Sequence, residues 1–527
     1  MSDNETQRRD SDVLIAGAGP VGQVLALLLA QQGLRVSVVE RWAQPYSLPR
    51  AVAMSHDVQR VLRQLGLGEE LAPMLETWGR DGQRISFEDS SGQTLADTSY
   101  PVTSDSGLAQ MSGFSQPDLE QLLERRVQAE PLIDQYRGFS LEALWDDGAG
   151  VSAVVRPHTG LAPVPDGEPR TLRAAYAVGC DGANSTVRSL LGLEMTDLDF
   201  NRDWLVVDVV PHTPTTWLPF ACQRLGPARP TTLVPAGPGR RRWEFMIMPE
   251  DDQDSVDTDE NTWSLLKSWG IHPGNADLVR HARYTFRGRW VGQWRKGRTV
   301  LAGDAAHQMP PFLGQGLNSG IRDAANLAWR LVLLAKDEGK ESLLDDYVAE
   351  RSGQVAQIVE ETVGMGHVIC MTDPEESALR DAGLKALGSD GLQGMGMDKT
   401  WLLQGGTLQD DGIGGHLGLQ ATVGTGARTG LLDEVITPPG FVLLGRDRDP
   451  ADLLSPVHRA AWKQLGGSSA HFGPGGLTDT EGKYAEWFER LNASVVLIRP
   501  DFQIFGGVRT PHATDGLVHH LIQRVMA

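Results

Sequence analysis

Two glycine-rich stretches carry the residues whose order suggests chemistry. Residues 17–22 read GAGPVG and follow the apolar run DVLIA. In such a turn Gly17 permits a sharp reversal, Gly19 lets a pyrophosphate approach the backbone, and Gly22 lets a helix opening at Pro20 pack close to the strand. The unpaired N–H groups and positive end of that helix favour phosphate. Glu40 follows the next apolar run, RVSVV, where a carboxylate can accept hydrogen bonds from ribose hydroxyls. This is dinucleotide chemistry, and the motif alone does not separate a flavin from a nicotinamide carrier.

The second stretch, GDAAHQMPPFLGQGLNSG, spans residues 303–320. Asp304 ends an apolar run and can bind a ribityl or ribose hydroxyl. Pro310 and Pro311 stiffen the segment and remove two N–H groups. Gly314 and Gly316 let the backbone lie against a flat ligand. A helix starting near Leu317 and Asn318 presents free N–H groups and partial positive charge. That suits an anion formed only during turnover, such as reduced flavin at its N1 and C2 carbonyl region. A loop that merely caps a helix would explain the punctuation but not its combination with Asp304. His307 is a candidate base, although the simpler reading is a structural histidine in the GDAAH turn. A third motif, GCDGANSTVR at 179–188, places Asp181 and Gly182 after a strand and Ser185 at a helix N-cap. Alone, it reads as a capped turn.

The elements that must position these groups follow from periodicity. DVLIA, a helix from Pro20 to about Gln32 and RVSVV make a βαβ opening. Val58, Val61, Leu62 and Leu65 share a helix face, and QPDLEQLLERRV (116–127) is helical. Strands are expected around 140–156 and 171–178. From about 195 to 290, WLVVDVV, RRWEFMIMP and ARYTFRGRW are β-rich and aromatic, as in an inserted antiparallel sheet. RTVLAGD then resumes the first domain, with helices from Asn318 to Ala335 and on to about 370. Residues 373–430 are weakly periodic and read as linker. FVLLGRD and ASVVLIRPD belong to a small α/β unit.

The chain has 527 residues, 40% apolar and 22% charged, which suits two to four globular domains. A net charge of -20 opposes nucleic acid and anionic membrane surfaces. Cys180, Cys222 and Cys370 are too few and too scattered for a disulfide framework or a metal site. MSDNETQRRDSD lacks the apolar core of a signal peptide, and the run Val24 to Ala30 is too short to span a bilayer. A cytoplasmic setting, with no membrane partner, is expected.

In their order and spacing, GAGPVG, GCDGANSTVR and GDAAHQMPPFLGQGLN resemble the class A flavoprotein aromatic hydroxylases typified by para-hydroxybenzoate hydroxylase, over roughly residues 10–370. MPPFLGQGLNSGIRDAANLAWRL with RRWEFMIMP looks like the 3-(3-hydroxyphenyl)propionate hydroxylase branch, whose relatives also tailor polyketides or attack phenolic antibiotics. The resemblance implies an α/β fold. A Rossmann-type FAD-binding domain would take residues 1–80, 111–194 and 291–372, the last with long helices. An inserted antiparallel β-sheet substrate domain would take 81–110 and 195–290. A linker (373–409) would lead to a thioredoxin-like C-terminal domain (410–527), which has no CxxC and so no dithiol chemistry.

The resemblance further implies one non-covalent FAD, NADH or NADPH as transient donor, O2, and a phenolic substrate. Gly17, Gly19, Pro20, Gly22, Glu40 and Arg41 would serve the ADP half. Arg50 and Gln116 match positions that contact the cofactor. Cys180 and Asp181 begin a motif that supports both FAD and the donor. Gly303 and Asp304 would address the ribityl or pyrophosphate side, Gly314 and Gly316 would clear the ring, and Leu317 and Asn318 would offer N–H groups to the pyrimidine. Pro311 matches the proline whose carbonyl faces the substrate hydroxyl.

The implied reaction is attack of a phenol, preferably as phenolate, on a C4a-hydroperoxyflavin in a dry site. Candidate substrate contacts are Phe312, Leu313, Trp204, Trp243, Arg224, Arg242 and Tyr284, each of which an ordinary core or surface role would also explain. GTGARTG has the wrong spacing and GPGRRR lacks a helix, so no second dinucleotide motif is present, as the family pattern requires. Dimers are common in the family, and the sequence leaves a homodimer open. A flavin-dependent dehydrogenase or oxidase without oxygen insertion, and a non-catalytic flavin sensor, stand as other classes, separated by oxygen stoichiometry.

Overall fold

A computed structural model describes residues 9–45, 50–217, 219–389, 392, 401–426, 428–436 and 439–527. Strand Ser11–Ala16 pairs in parallel with Val36–Glu40 on one side and Arg170–Gly179 on the other. Ile133–Arg137 and Thr299–Leu301 extend this sheet in parallel at its two flanks. Val13, Ile15, Val36 and Val38 are wholly buried, as expected of strands covered on both faces. Helix Pro20–Gln31 crosses from the first strand to the second, with proline at its first position, where no N–H is needed.

A nine-stranded sheet roofs this domain. Its order is His307–Gln308, Ala276–Val291, Met195–Pro211, Arg241–Met246, Thr231–Pro235, Ala221–Arg224, Ile85–Glu88, Thr94–Thr98 and Gly388–Ser389. The sheet therefore draws two short strands, His307–Gln308 and Gly388–Ser389, from beyond the segments expected to form it. Leu205, Val207, Leu233, Trp243 and Phe245 face outward into a separate apolar cluster with Trp217, Trp263 and Trp269. Alternate residues face inward, because successive side chains on a strand point to opposite faces.

Helix Gly316–Ala335 packs against helix Pro20–Gln31 and the parallel sheet, and helix Leu343–Ile369 packs between it and the roof strand Ala276–Val291. The segment expected as a linker differs from the sequence reading, since Pro374–Leu387 is a helix. Asp373 caps it, accepting from the N–H groups of Glu375 and Glu376 at 3.0 Å. Of its side chains only Ser377 and Leu384 are buried, which is why no apolar period announces it. Positions 390–391 and 393–400 of the expected linker lie outside the described residues.

In the C-terminal unit Val442–Gly445 pairs in parallel with Ser468–His471 and antiparallel with Val495–Ile498, which pairs with Ile504–Val508. Helices Pro456–Gln464, Lys483–Leu491 and Thr514–Val525 complete a thioredoxin-like βαβ–ββα unit. It docks through buried charge. Arg499 donates to both carboxylate oxygens of Glu350 at 2.8 Å and to Asp501 at 3.0 Å, and Arg330 donates to Glu350 at 2.7 Å.

Candidate active site

A cavity of about 520 Å³ lies between the loops at the ends of the parallel strands and the inner face of the roof sheet. That size falls among small-molecule sites. Its lower rim is the turn after the first strand. Gly17 has φ +105°, and a Cβ there would sit 2.3 Å from the Cys180 carbonyl oxygen, so only glycine fits. Gly19 and Pro20 line the cavity, and a Cβ on Gly19 would meet nothing within 4 Å. Gly22 lies beneath, under the helix. Glu40 accepts from the N–H groups of Ala18 and Trp42, both at 2.9 Å, and so braces the turn, while Arg41 stands over the Trp42 ring.

The opposite rim is the stretch 303–318. Gly303 and Asp304 line the cavity. The Asp304 carboxylate projects into it with no hydrogen-bond partner among the described residues. The residue is exposed within the cavity, and its desolvation there pushes its pKa up, against the pull of His307 and Arg50. Pro311–Leu313 form a short turn ended by Gly314, at φ +65°, whose N–H donates to the Pro311 carbonyl at 2.8 Å. The helix opens at Gly316, where a Cβ would again meet nothing within 4 Å. Leu317 lines the cavity. The Asn318 side chain accepts from the Ser55 N–H at 3.0 Å and donates to the Gly314 carbonyl at 2.6 Å, which locks the loop to the neighbouring strand. The first-turn N–H groups of this helix have no carbonyl one turn behind them.

Arg50 and Gln116 also line the cavity, and Gln116 accepts from the Ala51 N–H at 2.6 Å. An open glycine cradle, two helix N-termini and a carboxylate exposed to the cavity with no hydrogen-bond partner among the described residues fit a ligand that carries phosphates and sugar hydroxyls. FAD is such a ligand.

Other expected residues lie elsewhere. Asp181 is outside the cavity, although Cys180, Gly182 and Ala183 line it. Its carboxylate accepts from the N–H groups of Thr186 and Val187 at 2.7 and 3.0 Å and from the Ser185 hydroxyl, capping the next helix. His307 is buried beside Trp294 with Nε2 2.8 Å from Asp323. Asp323 also accepts the Gly303 N–H at 2.9 Å, so this pair braces the loop from behind. Burial would raise the Asp323 pKa, but Arg351 and His307 hold it low. Trp243 points outward, because it shares the outer parity of its strand. Arg224 pairs with Glu88 at 2.9 Å and covers Trp269, away from the cavity.

Phe312 and Leu313 line the cavity. Behind them Trp204 stacks on Phe286 at 5.7 Å, and Phe312 meets both rings edge-on. Arg242 lines the roof and is already matched. It donates to both oxygens of Asp208 at 2.9 and 3.0 Å and to the Arg50 carbonyl. Tyr284 lines the roof with Arg280, whose guanidinium sits 4.7 Å above its ring. The sequence reading missed Glu244, two residues beyond Arg242 on the same inner face. Burial pushes its pKa up to about 7, against the pull of Arg242. The signal was present in RRWEFM: with Trp243 outside, both of its charged neighbours must face in. Among the described residues no cluster of metal-ligating side chains occurs.

The family described as FAD binding domain matches residues 10–362, and the HcaD C-terminal domain family matches residues 415–524. A probable NADH-specific resorcinol 4-hydroxylase of Rhodococcus jostii is 34% identical over 98% of this chain and 96% of its own length. A 3-(3-hydroxy-phenyl)propionate/3-hydroxycinnamic acid hydroxylase of Comamonas testosteroni is 29% identical over 95% of this chain and 94% of its own. Among solved structures, the flavin-dependent monooxygenase PieE in complex with FAD and substrate superposes with a TM-score of 0.83 at 21% identity, covering 98% of this chain and 100% of that one. Aklavinone-11 hydroxylase with FAD and aklavinone gives 0.78 at 24%, with coverage of 98% and 100%. At those identities the structural likeness is one of fold.

Proposed function

The chain belongs to the FAD-dependent aromatic hydroxylases, and from that premise we propose that it hydroxylates a small phenol bearing a second hydroxyl group, with NADH as donor. The activity class is a flavoprotein monooxygenase that uses O2 on a phenolic ring. Bound FAD supplies electron transfer from the nicotinamide and activation of oxygen.

One observation carries the reading. A single cavity runs from the turn at Gly19 and Asp304 to the roof at Tyr284 and Glu244, so cofactor and substrate would share one continuous space. In this reading Gly17, Gly19, Pro20, Gly22, Glu40 and Arg41 shape the ADP end, with Asp181 holding the turn beside Cys180. Asp304 accepts a ribityl hydroxyl, and Arg50 and Gln116 flank the ring. The first-turn N–H groups of Leu317 and Asn318 oppose negative charge on the reduced ring. Phe312, Leu313 and the Pro311 carbonyl face the substrate, and the aromatic layer behind them keeps water out. His307 positions the loop through Asp323. Trp243 and Arg224 have no substrate role in it.

At the Arg242–Glu244 position of the roof the charge supports a neutral phenol over a hydroxyphenylpropionate-like acid, while Arg280 and Arg287 line the cavity farther along the sheet. Arg242, which a substrate carboxylate would seek, is neutralised by Asp208, and Glu244 beside it disfavours a second anion. The resorcinol hydroxylase among the relatives agrees with that preference.

The test supplies the purified holoenzyme with NADH or NADPH under labelled O2, against resorcinol, 3-(3-hydroxyphenyl)propionate and polyketide phenols, with products scored by mass. The reading expects substrate-stimulated flavin bleaching, one labelled oxygen per NADH, and resorcinol ahead of the acid. Peroxide release without labelled product, for every phenol, would place the chain among oxidases instead. The reading extends to a homodimer, read by light scattering. It also extends to a cytoplasmic setting, supported by three cysteines that are buried and unbonded. Among the described residues no helix is long and apolar enough to cross a membrane.

A further inference from the structure

Glu244 stands on the inner face of the roof, and no hydrogen bond to its carboxyl is formed by the described residues. Its strand, Arg241–Met246, lies between Thr231–Pro235 and Met195–Pro211, and its Cα partners there are Thr232 and Val206. It lines the cavity and is only 5% exposed. Its neighbours do not satisfy it. The Arg242 guanidinium comes no closer than 3.9 Å and spends its donors on Asp208 and the Arg50 carbonyl. The Thr232 hydroxyl turns the other way, donating to Gln223 at 2.6 Å. No donor among the described residues reaches the Glu244 carboxyl. An enclosed carboxylate without a donor is costly, and a ligand hydroxyl in the cavity would supply one.

We propose that Glu244 binds the hydroxyl group of the phenol and takes its proton. The phenol O–H bond breaks, an O–H bond forms on the Glu244 carboxylate, and the electron pair stays on the phenolate oxygen, which activates the ring. The proposal rests on the reading that this cavity takes a phenol.

The surroundings suit that transfer. The charges that act on Glu244 are Arg242 on its own strand and Asp208 on Met195–Pro211, and the other titratable groups sharing its cavity are Arg280, Tyr284 and Arg287 on Ala276–Val291, Cys222 on Ala221–Arg224, and Arg50, Tyr100, Cys180 and Asp304 from the other walls. Burial, reinforced by Asp208 and opposed by Arg242, places the carboxyl near pH 7. Against a free phenol near 10, the mismatch is roughly three pKa units, where an ordinary glutamate would face nearly six. Above about pH 7 the carboxylate is ionised and can accept the proton. Below that it is protonated and cannot, so phenolate formation falls on the acid side.

The test compares wild type, Glu244→Gln and Glu244→Asp, each loaded with FAD, on resorcinol and on fluorinated phenols of falling pKa. Absorbance reads phenolate on binding as a function of pH, and mass reads product. The proposal expects a phenolate band in wild type well below the free phenol's pKa. It expects Glu244→Gln to keep its flavin but lose hydroxylation by on the order of 10²–10⁴-fold, with NADH oxidation diverted to peroxide. The loss should shrink as the phenol becomes more acidic, and Glu244→Asp should recover part of it. A Glu244→Gln enzyme with the wild-type rate and pH profile overturns the proposal, as does a loss equal for every phenol. If Glu244→Gln does not fold, a wild-type phenolate band that titrates as in free solution overturns it as well. If wild type hydroxylates nothing, the function reading falls, while the phenolate band still judges Glu244.

Discussion

Arg499→Met isolates what holds the C-terminal domain to the cofactor-binding half. Arg499, Glu350 and Arg330 are at most 1% exposed. Burial alone would raise the Glu350 pKa, but Arg330 and then Arg499 overrule it and hold the carboxyl at about 2, against an ordinary 4.5. The group is ionised in the folded state at all ordinary pH. Its stabilisation is therefore complete above about pH 4.5 and is lost as pH falls toward 2. That depression corresponds to about 3 kcal/mol, shared between the two arginines. Removing Arg499 also leaves Asp501 enclosed with Asn326, at 3.0 Å, as its remaining side-chain donor. Breaking a buried pair from one side costs about 3–5 kcal/mol.

A urea slope of roughly 1–3 kcal/mol/M belongs to a unit the size of the C-terminal domain, so in the transition that releases this domain a loss of about 3 kcal/mol lowers the midpoint by roughly 1–3 M. Tryptophan fluorescence is a suitable probe, because the Trp329 ring lies 4.3 Å from the Arg330 guanidinium, 5.4 Å from that of Arg499 and 5.4 Å from Phe441 across the junction. The acid-linked loss of stability should be smaller in the variant, because the Glu350 carboxyl moves back toward its unfolded value and less of its contribution remains to be lost below pH 4.5. Adding Asp501→Asn should recover part of the loss. The helix that carries Asn326 and Arg330 opens at Gly316 on the cavity, so FAD affinity should fall as well. An Arg499→Met midpoint no lower than that of Arg446→Met, which breaks an exposed pair with Glu489 at 3.2 Å, would refute the reasoning, since exposed pairs contribute about 0–1 kcal/mol.

Gly17→Ala must place a Cβ 2.3 Å from the Cys180 carbonyl oxygen at φ +105°. We expect about 2–4 kcal/mol of destabilisation and loss of flavin, read by thermal unfolding and by the flavin absorbance of the purified protein. Asp304→Asn should weaken FAD binding roughly 10- to 100-fold in a flavin titration, because the amide offers a ribityl hydroxyl a weaker acceptor than the carboxylate. Arg224→Ala should leave the phenol KM unchanged, because its partners are Glu88 and Trp269 outside the cavity. A several-fold rise in KM would return it to the substrate site.

The cofactor half was legible because its logic is short-range. GAGPVG carries its own turn, helix start and close approach within six residues, and Glu40 follows at the end of the next strand. GDAAHQMPPFLGQGLN likewise holds its carboxylate, its stiff turn and its helix N-terminus in one stretch. Backbone conformation at glycine and proline is a local property, so residue type alone announces it. The C-terminal βαβ–ββα unit was visible as apolar strands between helical patterns, whereas the helix Pro374–Leu387 was not, because an element that buries two side chains leaves no period.

The substrate half depended on tertiary structure. Which of Arg242, Trp243 and Glu244 enters the cavity is fixed by which face of their strand the core claims, and a strand's own alternation marks two faces without saying which is inside. His307 could be read from its motif as a base or, more simply, as a structural residue, because Asp323, the partner that makes it a brace, comes from the next helix. The Arg242 charge vanished as a carboxylate site only once Asp208, from a neighbouring strand, came beside it. Sequence by itself therefore determined the dinucleotide-type turn and the loops that line one side of the cavity, since those are written in local backbone geometry. Only the packed sheet decided which side chains face the cavity from the other side, since facing is set by long-range register and by what lies across it.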